Sequence, residues 1–87
     1  MGERDGQLPI PEPARSDARS AEIVRVWSAQ GEQQFILRAG VWADPAAWGI
    51  LLADLARHAA RTYEGREEEA RERILEGFAA EFAEERS

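Results

Sequence analysis

The chain has 87 residues, enough for one small domain and too few for a catalytic domain joined to a regulatory one. It contains no cysteine and a single histidine, which excludes disulfide frameworks and cysteine-based zinc sites, and we expect no metal site and no cofactor. The formal net charge is -6, and this acidic balance disfavours nucleic acid and anionic membrane surfaces as partners.

Residues 1–20 predict a flexible, proline-containing tail, because Leu8 and Ile10 are their only sizeable apolar residues. The segment LPIPEP favours an extended polyproline-II stretch, interpreted as a stiff linker in preference to a docking segment for an aromatic groove. The tail lacks the basic-then-apolar order of a secretion signal, and no run of 18 apolar residues follows it. We therefore expect a cytoplasmic protein.

Two runs rich in β-branched and aromatic residues lie within 22–40 on either side of Gly31 and predict a β-hairpin. If the turn has two residues, Val26 opposes Phe35 and one face of the hairpin becomes a continuous apolar patch. A three-residue turn pairs Trp27 with Phe35 instead. We favour the two-residue turn.

A long amphipathic helix follows Asp44, which is a typical N-cap residue, and Pro45, which suits the first helical position. Gly65 is the expected C-cap. The predicted apolar stripe recurs at three- and four-residue spacing and comprises Trp48, Leu51, Leu52, Leu55, Ala59, Thr62 and Tyr63.

The start of this helix is the first candidate site. Trp42 precedes the cap and Trp48 lies in the first turn, so both rings are expected to close the corner between hairpin and helix. The alternative is an aromatic-walled ligand pocket around Gly49, where a missing side chain permits close approach. We favour packing, since aromatic residues at helical spacing usually indicate a core.

His58 is the second candidate, because it lies four residues after Asp54 on the same helix flank and could act with it as a general base. No serine, cysteine or second acid stands at a spacing that would complete a mechanism. Arg57 and Arg61 compete for the same carboxylate. We therefore interpret the pair as a helix-surface ion pair, and expect no catalytic residue and no enzyme.

Residues 66–87 contain eight glutamates and four arginines and predict a second amphipathic helix. The order β-β-α-α indicates an α+β fold, with one small domain at 21–87 whose helices cover the hairpin. The residues expected to be most buried are Val24, Val26, Phe35, Leu37, Trp48, Leu52, Leu55, Ala59, Ile74, Phe78 and Phe82.

Further apolar residues exceed what one small core can cover, and with two arginines they predict an interaction surface. This surface comprises Ile23, Arg25, Trp27, Ile36, Arg38 and Ile50. A homodimer is its simplest use, because pairing of hairpin edges across a two-fold axis would extend the sheet. The alternative is a monomer in which the tail, through Leu8 and Ile10, or a helix covers this face.

The segment WADPAAWG at 42–49, with LPIP in the tail and the Glu76-Gly77-Phe78 stretch near the end, resembles the short bacterial proteins grouped as domain-of-unknown-function family 5076. The resemblance covers nearly the whole chain. It implies a small stand-alone bacterial protein, and it implies no activity and no assigned site residues.

The sequence therefore predicts a small non-catalytic protein-protein interaction module with an unidentified protein partner or a second copy of itself. The alternative hypothesis is a small-ligand-binding or enzyme accessory domain. That alternative would use the corner formed by Trp42, Trp48, Gly49 and His58.

Overall fold

The structure, a computed structural model, describes residues 5–85, so residues 1–4 of the predicted tail and 86–87 of the predicted domain lie outside the described residues. A hairpin followed by two long helices confirms the predicted α+β fold. The chain divides into two compact units, Met1–Val41 and Trp42–Ser87. The elements are α1 (Glu12–Ser16), β1 (Val24–Ala29), β2 (Glu32–Leu37), α2 (Ala46–Arg61) and α3 (Glu67–Glu85).

The hairpin of the N-terminal unit has the favoured register, in which Val26 pairs with Phe35. Its turn residues Gln30 and Gly31 have φ angles of 55° and 77°. Two central residues with positive φ define a type I′ turn, whose twist matches that of the flanking strands. The two-residue turn is therefore confirmed, and it fixes which side chains share a face.

The tail contains a short helix that the proline spacing did not predict. Pro11 has an extended backbone, with φ of -64° and ψ of 149°, and α1 begins at the next residue. The Ser16 hydroxyl donates to the Glu12 carboxylate at 2.7 Å across this single turn. The proline-rich segment is thus extended only as far as Pro11, because proline is tolerated in the first helical turn.

The first long helix, α2, begins as its sequence predicts. The backbone N–H of Ala46 donates to Asp44 Oδ1 at 3.0 Å, and that of Ala47 donates to the Asp44 carbonyl at 3.0 Å. Pro45 already has helical angles, φ -58° and ψ -18°. Asp44 therefore caps the helix, because its carboxylate satisfies an N–H that has no partner within the helix.

We expect Asp44→Ala to lower the free energy of unfolding by about 1 kcal/mol, since the cap is lost while the helix residues are unchanged. Urea denaturation followed by circular dichroism measures this change. Asp54→Ala is the control, because Asp54 is an exposed carboxylate within α2 and should shift stability by less than about 0.5 kcal/mol. Equal effects of the two substitutions would contradict the capping role.

The link between the helices differs from the prediction, which ended the first helix at Gly65. Instead α2 ends at Arg61, and the N–H groups of Thr62 and Tyr63 donate to the carbonyls of its last turn. Gly65 lies beyond, with a φ of 82° that favours glycine. Three glutamates then occupy the first turn of α3, where the helix dipole stabilises negative charge.

The prediction of the core is wrong, because far fewer side chains are buried than the sequence pattern indicated. Among residues 5–85 the buried side chains are Ala60, 3% exposed, and Ala70, 9% exposed. Of the residues expected to be most buried, Val24, Trp48 and Ile74 are half-buried. The others are exposed, at fractions that reach 62% for Phe35: Val26, Phe35, Leu37, Leu52, Leu55, Ala59, Phe78 and Phe82.

In the C-terminal unit, the pitch of the α-helix explains why some of the residues predicted to be buried are exposed. Residues four apart are offset by about 40° around the axis, so a strict four-residue series drifts steadily round the helix. In α3 the series runs from buried Ala70 through half-buried Ile74 to exposed Phe78 and Phe82. The four-residue spacing therefore identifies the apolar residues of α3. The drift moves Phe78 and Phe82 away from the flank of α3 that is buried near the link to α2.

Candidate functional site

The two tryptophans at the start of α2 contact each other. Their ring centroids lie 5.3 Å apart with an interplanar angle of 82°, the edge-to-face arrangement that aromatic pairs prefer. Trp48 is half-buried and Trp42 is exposed. The capped turn between them holds both rings, so this part of the predicted corner is present within the C-terminal unit.

Gly49 has open space beside it, although packing was the favoured explanation for this glycine. A Cβ atom built at Gly49 meets nothing within 4 Å. A glycine within a helix lowers helix stability by about 1 kcal/mol relative to alanine. No neighbouring side chain in the described part of the chain lies close enough to Gly49 to explain why glycine is present there. The space leaves room for an atom from outside the chain.

His58 does not join the tryptophan pair, because ten residues of helix between it and Trp48 span about 15 Å. Its Nδ1 lies 2.9 Å from the Asp54 carbonyl, which can accept a hydrogen bond, and 3.7 Å from the Asp54 carboxylate. Arg57 Nη2 reaches the same carboxylate at 3.5 Å. The His58 side chain is largely exposed, which is the arrangement expected of a helix-surface ion pair.

We expect His58→Ala to change the free energy of unfolding by less than about 0.5 kcal/mol, because exposed ion pairs contribute little. If a substrate of this protein is identified, turnover should stay within a few-fold, whereas a general base contributes about 100-fold or more. Urea denaturation and a turnover assay measure the two effects. A hundredfold loss of turnover in a folded variant would overturn the structural interpretation of His58.

The predicted interaction face of the hairpin contains an ion-pair cluster centred on Glu22. Arg25 donates to the Glu22 carboxylate through Nε at 3.1 Å and Nη2 at 2.5 Å, and Arg38 donates to the Glu22 carbonyl at 2.8 Å. The hydrogen bond from Arg25 holds the pKa of Glu22 below its ordinary value, and the same bond raises the pKa of Arg25. Both arginines therefore already have partners within the hairpin.

The apolar residues of the same face are unevenly exposed. Ile36 is exposed, while Ile23 and Trp27 are half-buried. A Cβ atom at Gly6 would lie 3.8 Å from the Trp27 ring, so the tail passes close to that ring. An open cavity of about 310 Å³ lies on this face beside the arginines. Ile50, the remaining predicted interface residue, is 70% exposed on α2.

Two further apolar surfaces are also exposed, and the sequence interpretation assigned their residues, apart from Leu75, to the core. The first is the opposite hairpin face, with Val26, Phe35 and Leu37. We call the second the helical ridge, and it consists of Leu52, Leu55, Leu75, Phe78 and Phe82. The rings of Phe78 and Phe82 stack at 5.6 Å, which holds them side by side on α3. For Phe78 and Phe82, the drift of the four-residue spacing around α3 was a sequence signal that could have predicted their exposure.

Another depression lies at the turn between the helices and measures about 230 Å³. Its lining residues are Tyr63, Arg66, Glu69, Ala70, Arg73 and Ile74. Arg66 lies over the Tyr63 ring at 5.9 Å, and Arg73 pairs with Glu76. Both arginines thus have contacts of their own. Within the described residues, no group of three or more histidine, aspartate or glutamate side chains is arranged to hold a metal ion.

The described residues form a small α+β protein in which many large apolar side chains are exposed. The chain belongs to the domain-of-unknown-function family DUF5076, whose family model matches residues 7–86, as the resemblance in the tryptophan segment implied. No helix among residues 5–85 is both long enough and apolar enough to cross a membrane.

Solved structures similar to this chain include one relative at high coverage, and no curated protein shows significant similarity to the chain. The relative is a protein from the photosynthetic bacterium Rhodopseudomonas palustrus CGA009, named with pyruvate dehydrogenase as its suggested activity. It is 37% identical to this chain, with a TM-score of 0.73. The match covers 95% of this chain and 87% of the other.

Proposed function

We propose that this chain is a non-catalytic protein-protein interaction module that assembles with a second copy of itself. The observation that supports the proposal is the burial pattern. No large side chain of the described residues is fully buried, although complete burial of such a side chain contributes about 1.5–3 kcal/mol. Ordering each residue costs about 1.5 kcal/mol, so a chain with this little burial needs further contacts to be stable.

A protein surface suits these contacts better than nucleic acid or a small ligand. The helical ridge carries no charge, and the chain as a whole has a net charge of -6, which opposes binding to phosphate backbones. Exposed apolar patches of several side chains are typical of protein interfaces. The predicted ligand corner does not include His58, which lies about 15 Å along the helix from Trp48.

Co-expression of a tagged and an untagged copy of the chain tests the proposal. Purification through the tag should recover the untagged copy, because the exposed surfaces need a partner. Recovery of a different protein in a fixed ratio, without the untagged copy, would contradict self-assembly. The control is tagged protein mixed with the untagged lysate after purification, which reveals the rate of exchange. A tagged chain that elutes alone at native concentration would contradict the proposal.

One observation favours a second candidate, an accessory domain of an enzyme. The 37% identical protein from Rhodopseudomonas palustrus carries pyruvate dehydrogenase in its name. If the present chain serves such an enzyme, the tagged chain purified from its native host should recover pyruvate dehydrogenase activity in the eluate. The chain would contribute binding and no catalytic group, so His58→Ala should recover the same activity.

A further inference from the structure

Both helices of the C-terminal unit have a flank of small residues beside their large apolar side chains. On α2, Gly49 and Ala53 lie on the same flank as buried Ala60, at spacings of four and seven residues. On α3, Gly77 lies two turns along from buried Ala70 on the same flank. The α2 flank therefore contains small residues along most of its length, and the α3 flank contains two, Ala70 and Gly77.

These flanks are buried near the link between α2 and α3 and exposed further away from that link. Ala60 and Ala70 are buried, whereas a Cβ atom built at Gly49 or at Gly77 meets nothing within 4 Å. The helical ridge is about half exposed on both helices, from 46% at Leu52 to 58% at Leu75. The open space beside Gly49 and Gly77, which we call the groove, therefore lies on helices that also carry large exposed side chains.

We propose that the second copy docks here, with Leu75, Phe78 and Phe82 of each copy filling the space beside Gly49 and Gly77 of the other. This inference rests on the proposed function and specifies its surface. The arrangement is reciprocal, as a two-fold interface requires, because one chain supplies both the large and the small residues. Large side chains facing small ones are what interdigitated helix packing needs.

The area available matches a dimer of ordinary size. The exposed halves of the five ridge side chains present on the order of 450 Å² of apolar surface per copy, given ~150–250 Å² for a large aromatic side chain. A standard interface buries about 800 Å² per partner, of which about 60% is apolar. Two copies can therefore bury the apolar surface of the helical ridge without a third molecule.

The test is sedimentation equilibrium of variants. Phe78→Glu should convert a dimer to a monomer by placing a charge in the contact, while Ile50→Glu, at a more exposed position on the polar side of α2, should remain dimeric. Phe35→Glu, on the hairpin, should also remain dimeric. Loss of the dimer in Phe35→Glu with retention in Phe78→Glu would overturn the proposal.

Gly77→Ala addresses the case in which Phe78→Glu fails to fold. Alanine favours the helix, so the circular dichroism signal should be kept, while the added methyl group in the groove should weaken the dimer at least tenfold. A dissociation constant within twofold of the original would overturn the proposed groove. A wild-type chain that is monomeric at every concentration would instead show that the proposed self-association itself fails.

Salt dependence distinguishes this surface from one held by opposite charges. Both copies are acidic and the proposed contact is apolar, so raising salt from about 0.05 to 0.5 M should tighten the dimer by screening repulsion. If Arg25 and Arg38 bound the acidic helix of a neighbour, the same change would weaken it. A dimer that weakens with salt would contradict docking through the helical ridge.

Discussion

A hundredfold dilution of the protein should lower its melting temperature by roughly 7 °C. Mass action reduces the stability of an associated state by about 2.7 kcal/mol over this range. The entropy of unfolding is about 2.1 cal/mol/K per residue, which is on the order of 0.37 kcal/mol/K for two chains of this length. Dividing the first quantity by the second gives the expected shift. Differential scanning fluorimetry through the tryptophans measures it.

The variant Ile50→Glu is the matched control for the dilution series. Its side chain is exposed and lies outside the helical ridge, so its melting temperature should show the same dependence on concentration. Phe78→Glu should lose that dependence, since unfolding of a monomer does not vary with concentration. A wild-type melting temperature that stays constant within about 1 °C across the series would contradict assembly-dependent stability.

Phe82→Ala should lower the free energy of unfolding by about 3 kcal/mol per chain. In the single chain Phe82 is 57% exposed, and removal of so exposed a side chain ordinarily changes stability by less than about 1 kcal/mol. Burial by a second copy raises the cost to the range of about 3–5 kcal/mol that phenylalanine truncation has in a core. Guanidinium denaturation at a concentration where the protein is assembled measures the difference.

Ile50→Ala is the comparison for this truncation, because Ile50 is also a large apolar residue and is 70% exposed. We expect it to change stability by less than about 0.5 kcal/mol. The difference between the two effects is the informative quantity, since contributions from the unfolded state that are similar for the two truncations cancel in it. Comparable small effects at both positions would mean that nothing covers the ridge.

Features with a local cause were predictable from the sequence. The Asp44 cap and the Gln30-Gly31 turn depend on residues that lie next to each other in the chain. The turn then fixes the hairpin register, including the pairing of Val26 with Phe35. The family was also recognisable, because the segment at 42–49 combines several uncommon neighbours and the family model matches residues 7–86.

Burial was not predictable in the same way, because it depends on what lies opposite a side chain. The pattern that placed Phe78 and Phe82 in a core shows that these residues need cover, and it does not show which molecule provides it. Gly49 illustrates the same difficulty, since packing and open space both suit a glycine and only the structure distinguishes them. The candidate pair of His58 and the tryptophans failed to converge because ten residues of helix separate them.

The central claim is that a second copy of the chain completes the surfaces that the single chain leaves exposed. Sedimentation equilibrium of the unmodified protein tests it most directly, because the mass of the chain is 9.7 kDa and a dimer has twice that mass. We expect the dimer to be the main species at about 10 μM and above, which corresponds to an association free energy of roughly -7 to -8 kcal/mol. A single species of 9.7 kDa at concentrations of several hundred micromolar would contradict the claim.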